Sequence, residues 1–195
     1  MLIAIDLRQV NAGWSSDGRV FRGLTVQIPV GTLAMIVGPV GCGKSTLLQI
    51  LLGEGILHNG SVTLSTDDIA YCDQVPFLRN GSIRQNIIAN MEYNQPWYDS
   101  CLQACALDVD IQQFARGDET LVGNKGIALS GGQRQRLAIA RAAYARKKII
   151  LMDDCFSGLD METENQCFHR LLGPEGLIRQ AGATTVLVTH AGRIP

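Results

Sequence analysis

The run Gly38-Pro-Val-Gly-Cys-Gly-Lys-Ser-Thr46 constrains this chain more than any other stretch. It satisfies the pattern G-x-x-x-x-G-K-[ST], and its flanks are the ones that the pattern needs. "TLAMIVG" before it is a continuous apolar run, as suits a strand buried on both faces of a parallel sheet. "KSTLLQILLG" after it is an apolar helix that ends at Gly53. A strand, a glycine loop and a helix in that order gather backbone N–H groups and a helix N-terminus around one anion. The expected phosphate cradle is Gly38, Pro39, Val40, Gly41, Cys42, Gly43, Lys44, Ser45 and Thr46. Lys44 is expected to reach the β- and γ-phosphates of a nucleoside triphosphate, and the Ser45 hydroxyl to ligate Mg²⁺.

The rest of the chain reads as one α/β domain with an insertion. "LIAIDLRQVNAGW" and "FRGLTVQIPVG" alternate as strands, and "GSVTLS" and "IAYCDQ" are short strands. From about residue 75 to 128 the texture turns helical. Ser82 reads as an N-cap with Ile83, Ile87 and Ile88 on one face, and Pro96 suits a first helical turn. Residues 1–74 and about 129–195 would then form the α/β core. In the latter, "RQRLAIARAAYA" is a strong helix, "KKIILMDD" a buried strand with an acidic end, and "ATTVLVTH" another strand. At 195 residues, 46% of them hydrophobic, the chain is long and apolar enough for one well-buried core.

Charge and cysteine usage exclude several classes. A net charge of −1 leaves no whole-chain attraction for nucleic acid or anionic lipid. Arg134, Arg136, Arg141, Arg146, Lys147 and Lys148 lie around one helix without interleaved aromatics, so they read as a solvated basic face. No apolar run reaches the roughly 18 residues of a membrane span and no signal-peptide pattern opens the chain, so no direct membrane insertion by this segment is expected. The six cysteines lack a C-x-x-C pair and read as small buried hydrophobes.

"LSGGQ", Leu129, Ser130, Gly131, Gly132 and Gln133, identifies the class within the phosphate-loop proteins. Ser130 and Gln133 form an S-x-x-Q capping box, but a capping box does not explain two central glycines. They would let the first N–H groups of a helix approach a γ-phosphate closely. With this pentapeptide the chain resembles the nucleotide-binding domain of ABC transporters, from Met1 to His190, with every family motif in order. The resemblance implies a P-loop NTPase fold of the ABC ATPase type, α/β, with an N-terminal antiparallel β part and an inserted α-helical subdomain. It implies ATP as substrate and Mg²⁺ as cofactor.

It further implies a head-to-tail partnership with a second nucleotide-binding domain in the same polypeptide, in which the signature serves the partner's ATP. Trp14 falls where an aromatic stacks on adenine. Gln74 falls where a side chain touches Mg²⁺, and Asp153 where a carboxylate ligates it. Ser157, Gly158, Leu159 and Asp160 resemble the D-loop that meets the partner, and His190 the switch histidine. The family domain continues with more strand and helix, so its C-terminal part is expected to be missing from this chain.

One position departs from the common pattern. Most hydrolytic family members carry Glu after the Walker B aspartate, and here it is Asp154, one methylene shorter. Asp at this place resembles the first nucleotide-binding domain of ABC subfamily C exporters, as do "GPVGCGKSTLL", "GSIRQNI" and "LVGNKGIALSGGQ", with a fungal texture. Asn124 stands where many exporters have Glu. The implied role is an exporter's ATP-binding domain, slow at its own site and weak as an ATPase alone. It would be joined to transmembrane domains at the cytoplasmic face of a plasma or vacuolar membrane. A regulatory nucleotide sensor of a channel-modulating subfamily C protein, and a soluble ABC ATPase, remain open alternatives.

Overall fold

The computed structural model describes residues 1–15, 18–123, 126 and 128–190. Alternation and continuous apolarity build two different sheets. β1 (Ile3–Gly13), β2 (Arg19–Pro29) and β4 (Ile56–Leu64) form an antiparallel sheet in the order β2-β1-β4. β4 starts at Ile56, five residues before the apolar alternation at "SVTL" becomes visible. The reason is cross-strand pairing: Ile56 and Leu57 sit opposite Gly13 and Ala12 of β1, which supply the ladder that propensity alone does not.

β3 (Leu33–Val37), β5 (Ile69–Cys72), β6 (Ile149–Asp153) and β7 (Thr184–Thr189) form a parallel sheet in the order β3-β7-β6-β5. Every residue of β6 and β7 is buried, as continuous apolar runs predict. β3 corrects that expectation. Its run is as apolar as theirs, yet it is only partly buried, because among the described residues it pairs on one side only.

α1 (Lys44–Leu51) joins the two sheets. Its Leu47, Leu48, Ile50 and Leu51 share one core with Ile5, Leu7 and Val10 of β1 and with Ile149, Leu151, Val186 and Val188 of the parallel sheet. The opposite face of the parallel sheet packs on α5 (Gly131–Tyr144) and α6 (Met161–Leu172), followed by α7 (Leu177–Gln180). Segment 75–128 carries α2 (Ile83–Ile88), α3 (Gln95–Ala104), α4 (Asp108–Gln113) and a 3₁₀ turn at Gly117–Glu119. α2 starts at a complete capping box of Ser82 and Gln85, burying Ile83 and Ile87. α3 is capped by Asn94, with Pro96 in its first turn. The α4 segment has no buried residue of its own, which is why periodicity does not reveal it.

These helices are held by a polar clamp. Arg84 donates to both oxygens of Asp118, from Nε at 2.8 Å and Nη2 at 2.9 Å, and the buried Tyr98 hydroxyl donates to Asp118 Oδ2 at 2.9 Å. Asp118→Ala leaves the buried Tyr98 hydroxyl without its acceptor, while Arg84, 40% exposed, keeps Glu119 at 2.9 Å. We expect a loss of about 1–3 kcal/mol in urea unfolding, most of it from the hydroxyl, with Asp118→Asn losing less; equal stabilities would count against the clamp.

Two expectations about polar residues change here. The basic cluster is not one solvated face. The Arg136 side chain is only 13% exposed, burial pulls the Arg141 pKa down, and Arg146 lies 4.2 Å over the Trp97 ring. Lys147 pairs with Asp68 at 2.6 Å. Five cysteines are buried as expected, but Cys42 is exposed in the phosphate loop. Burial pushes the Cys101 thiol up to about 12 and Cys167 up to about 11, so both stay protonated apolar groups.

Candidate nucleotide-binding site

Parallel register brings the motifs together. Val37 lies opposite Thr189, and Asp153 opposite Val188, so Gly38, Asp154 and His190 leave the carboxyl edge of the sheet side by side. Crevices at that edge are where open α/β sheets bind ligands. Here the edge forms a cleft of about 290 Å³. It is lined by the phosphate loop from Val40 to Thr46, by Gln74, Asp153, Asp154 and His190, and by Val20 from β2.

The loop is shaped by left-handed glycines. Gly43, at φ 98°, is the N-cap of α1, and a Cβ there would lie 2.7 Å from Val20 Cγ1. Both its conformation and its neighbour require glycine. Lys44 is 8% exposed and folds back across the loop, donating from Nζ to the carbonyls of Gly38 and Pro39 at 2.8 Å each. A cation is thereby held at the focus of the loop. Trp14, about half exposed, donates from Nε1 to Thr46 Oγ1 at 3.3 Å, which sets the indole beside the loop's end.

Two adjacent carboxylates face the cleft in different settings. Asp153, 3% exposed, accepts from Ser45 Oγ at 3.0 Å on Oδ1 and from the Tyr71 hydroxyl at 3.3 Å on Oδ2. Burial raises its pKa, against the lowering by those two hydroxyls. Burial and the charge of Asp153 raise the Tyr71 pKa in turn, so its phenol remains a donor.

Asp154 has a left-handed backbone, φ 45°, held by its N–H to Val188 O at 2.9 Å and by Ser157 Oγ donating to its carbonyl at 2.8 Å. This turns its carboxylate toward the cleft, where Oδ2 lies 2.9 Å from His190 Nε2 and 3.3 Å from Gln74 Nε2. Asp154 Oδ1 and His190 Nδ1 are buried without a partner among the described residues. A buried carboxylate bonded only to neutral hydroxyls, beside a second with an orphaned oxygen, forms a hard oxygen set of the kind Mg²⁺ takes. The residues therefore fit that ion.

The signature residues do not line this cleft. Ser130 caps α5 through a complete capping box with Gln133, Leu129 is buried, and Ser130 and Gly131 are exposed. A Cβ on Gly131 would meet nothing within 4 Å, and one on Gly132 would only touch Leu159 at 3.7 Å. Of the D-loop segment, Leu159 is buried and Gly158 exposed, while Asp160 caps α6 by accepting from Thr163 N–H at 3.0 Å. Asn124 lies outside the described residues.

Sequence reasoning missed Val20, Tyr71 and Asp110. Val20 carries no motif. Tyr71 stands three residues before Gln74 on β5, and its place beside Asp153 comes from the β5–β6 pairing.

Residues 21–157 match the model of the family described as ABC transporter. The chain belongs to the ABC transporter family. The ABC domain is 48% identical over 194 residues to ABC multidrug transporter B of Aspergillus fumigatus, covering 98% of this chain and 13% of that protein. It is 45% identical over 190 residues to ABC transporter gloK of Glarea lozoyensis (97% and 14%). To ABC transporter FGM5 of Gibberella zeae it is 48% identical over 183 residues (93% and 12%). The chain thus spans about 13% of the length of the first of these relatives. ABC domains are in general ATPases that use ATP with Mg²⁺, and this one is an ATP-binding domain of that type with fungal transporter relatives. Among its described residues no helix is long and apolar enough to cross a membrane.

Proposed function

We propose that this ABC domain is the first nucleotide-binding domain of a subfamily C exporter. It pairs head to tail with a second such domain of the same polypeptide and sits against transmembrane domains on the cytoplasmic side of the plasma or vacuolar membrane. Its own cleft binds MgATP and splits it slowly, and Ser130, Gly131 and Gly132 complete the partner's site. Segment 75–128 acts as the helical subdomain between core and membrane part.

The observation that carries this reading is Gly131. Glycine costs about 1 kcal/mol relative to alanine inside a helix, and less at the first helical position, where Gly131 stands. Neither its φ nor any neighbour in this chain requires it. A glycine with open space around it lets a ligand from outside approach the exposed N–H groups of the helix closely, and a phosphate is the fitting visitor.

Within the cleft, Lys44 offsets triphosphate charge and Trp14 stacks on the base. Ser45, Asp153 and Gln74 would hold Mg²⁺, which when bound neutralises charge on the phosphates. Asp154 and His190 face the attacking water and the γ-phosphate. Their hydrogen bond keeps the short carboxylate on the histidine's side of the cleft.

The test is the purified chain. Mg²⁺-dependent ATP binding is expected together with turnover far below the ordinary enzymatic range of about 1–10³ s⁻¹. Turnover at transporter rates by the chain alone would sink the slow-site reading.

A further inference from the structure

α4 is only six residues long, yet one of its side chains reaches the signature. Asp110 Oδ1 accepts from Gln133 Nε2 at 2.8 Å, and Oδ2 accepts from Arg136 Nη1 at 2.7 Å. The Asp110 and Arg136 side chains are 16% and 13% exposed, and Arg136 also donates to the Ala106 carbonyl. The other end of the Gln133 amide, Oε1, accepts from Ser130 N–H at 2.9 Å, while Gln133 N–H donates to Ser130 Oγ at 3.2 Å. Arg136, Asp110, Gln133 and Ser130 thus form one continuous hydrogen-bonded series across segment 75–128 and α5.

The chemistry of each member gives the series a direction. A primary amide has a donor end and an acceptor end, and with both engaged its plane is set. Asp110 engages the donor end; the acceptor end then meets the Ser130 backbone. Because Ser130 Oγ accepts from Gln133, its hydroxyl proton is turned elsewhere, and among the described residues it donates to nothing. Asp110 offers a separate acceptor oxygen to each donor, one to the amide and one to the guanidinium. An asparagine would turn its own N–H₂ on one of two donors.

We propose that Asp110 is a positioning residue for the signature: through Gln133 it sets the orientation in which Ser130 and the first N–H groups of α5 meet a phosphate outside this chain. The position of α4 is thereby passed to the signature without any contact between Asp110 and nucleotide. This rests on the head-to-tail reading above.

Asp110→Asn, nearly isosteric, is the test, read in two ways. In the chain itself, amide hydrogen exchange at Ser130 and Gln133 is expected to rise about tenfold or more, with mid-helix amides from Ala138 to Ala142 unchanged. In the assembled transporter, turnover at the partner's site is expected to fall roughly 10- to 100-fold. MgATP affinity of this chain's own loop should stay within about twofold of wild type in the same measurement, because Asp110 lies outside that cleft. Ser130→Ala is run in parallel. If Ser130→Ala slows turnover and Asp110→Asn does not, or exchange at Ser130 and Gln133 is unmoved, Asp110 is not a positioning residue while the head-to-tail reading survives. If neither variant slows turnover, that reading fails and the proposal with it. A uniform rise in exchange along α5 would mark Asp110 as a general stabiliser and also overturn it.

Discussion

Lys44→Ala is expected to lower the MgATP affinity of this chain by about 100-fold or more, the largest effect of any single side chain in the cleft. A hydrogen bond to a charged group contributes about 1.5–3 kcal/mol, and the ammonium is placed to serve more than one phosphate oxygen. Lys44 makes two 2.8 Å bonds to the Gly38 and Pro39 carbonyls. Pro39 is exposed and Gly38 partly so, so water can replace the ammonium at their carbonyls and the chain's unfolding without nucleotide should scarcely change. Calorimetric titration with MgATP checks the first part, and the ATP-induced rise in Tm, which should vanish, checks it again. Adenosine is the control. On the stacking role proposed for Trp14, adenosine's weak binding should survive. MgATP affinity within about threefold of wild type would remove Lys44 from the role proposed for it.

Asp154→Glu is expected to have the second-largest effect, and in the opposite direction. In the assembled transporter it should speed hydrolysis at this site by about 10²-fold, the lower end of what a well-placed general base contributes. Asp154 Oδ2 lies 2.9 Å from His190 Nε2, so the carboxylate is drawn to the histidine, while Oδ1 has no partner among the described residues. One more methylene carries the carboxylate about a bond length further into the cleft, and placement governs phosphoryl transfer. Asp154→Asn, with the same reach and no basicity, should not speed the reaction. The gain has a structural cost. Asp154 sits at φ 45°, where Asp is tolerated better than Glu, so the variant should lose of order 1 kcal/mol of stability. An occluded-ATP lifetime equal to wild type in Asp154→Glu would show that the short carboxylate does not limit this site.

Much of the site is legible in the sequence because its parts are contiguous. The loop from Gly38 to Thr46, the signature from Leu129 to Gln133 and the carboxylate pair are each carried by a few neighbouring residues whose local geometry follows from glycines, caps and strand ends. The α/β class follows equally, since "IILM" and "VLV" are continuous apolar runs, and the strands that hold them, β6 and β7, are buried at every residue. What stays hidden is any feature made by residues distant in the chain. "TLAMIVG" has the composition of a central strand but among the described residues pairs on one side only, and nothing local encodes that. Arg136 looks like one more cation on a solvated helix until α4, invisible to periodicity, brings Asp110 against it.

The amino-acid sequence by itself determined that this chain folds as an α/β domain, carries a phosphate loop and belongs with the ABC family, because those properties rest on short motifs and on periodicity. Only the tertiary structure decided that Tyr71 bonds Asp153, that Asp154 is turned onto His190, and that Asp110 accepts a hydrogen bond from Gln133. These are meetings of residues between 20 and more than 80 positions apart, brought about by parallel register and helix packing. Their geometry depends on how elements dock, which no local pattern of side chains specifies.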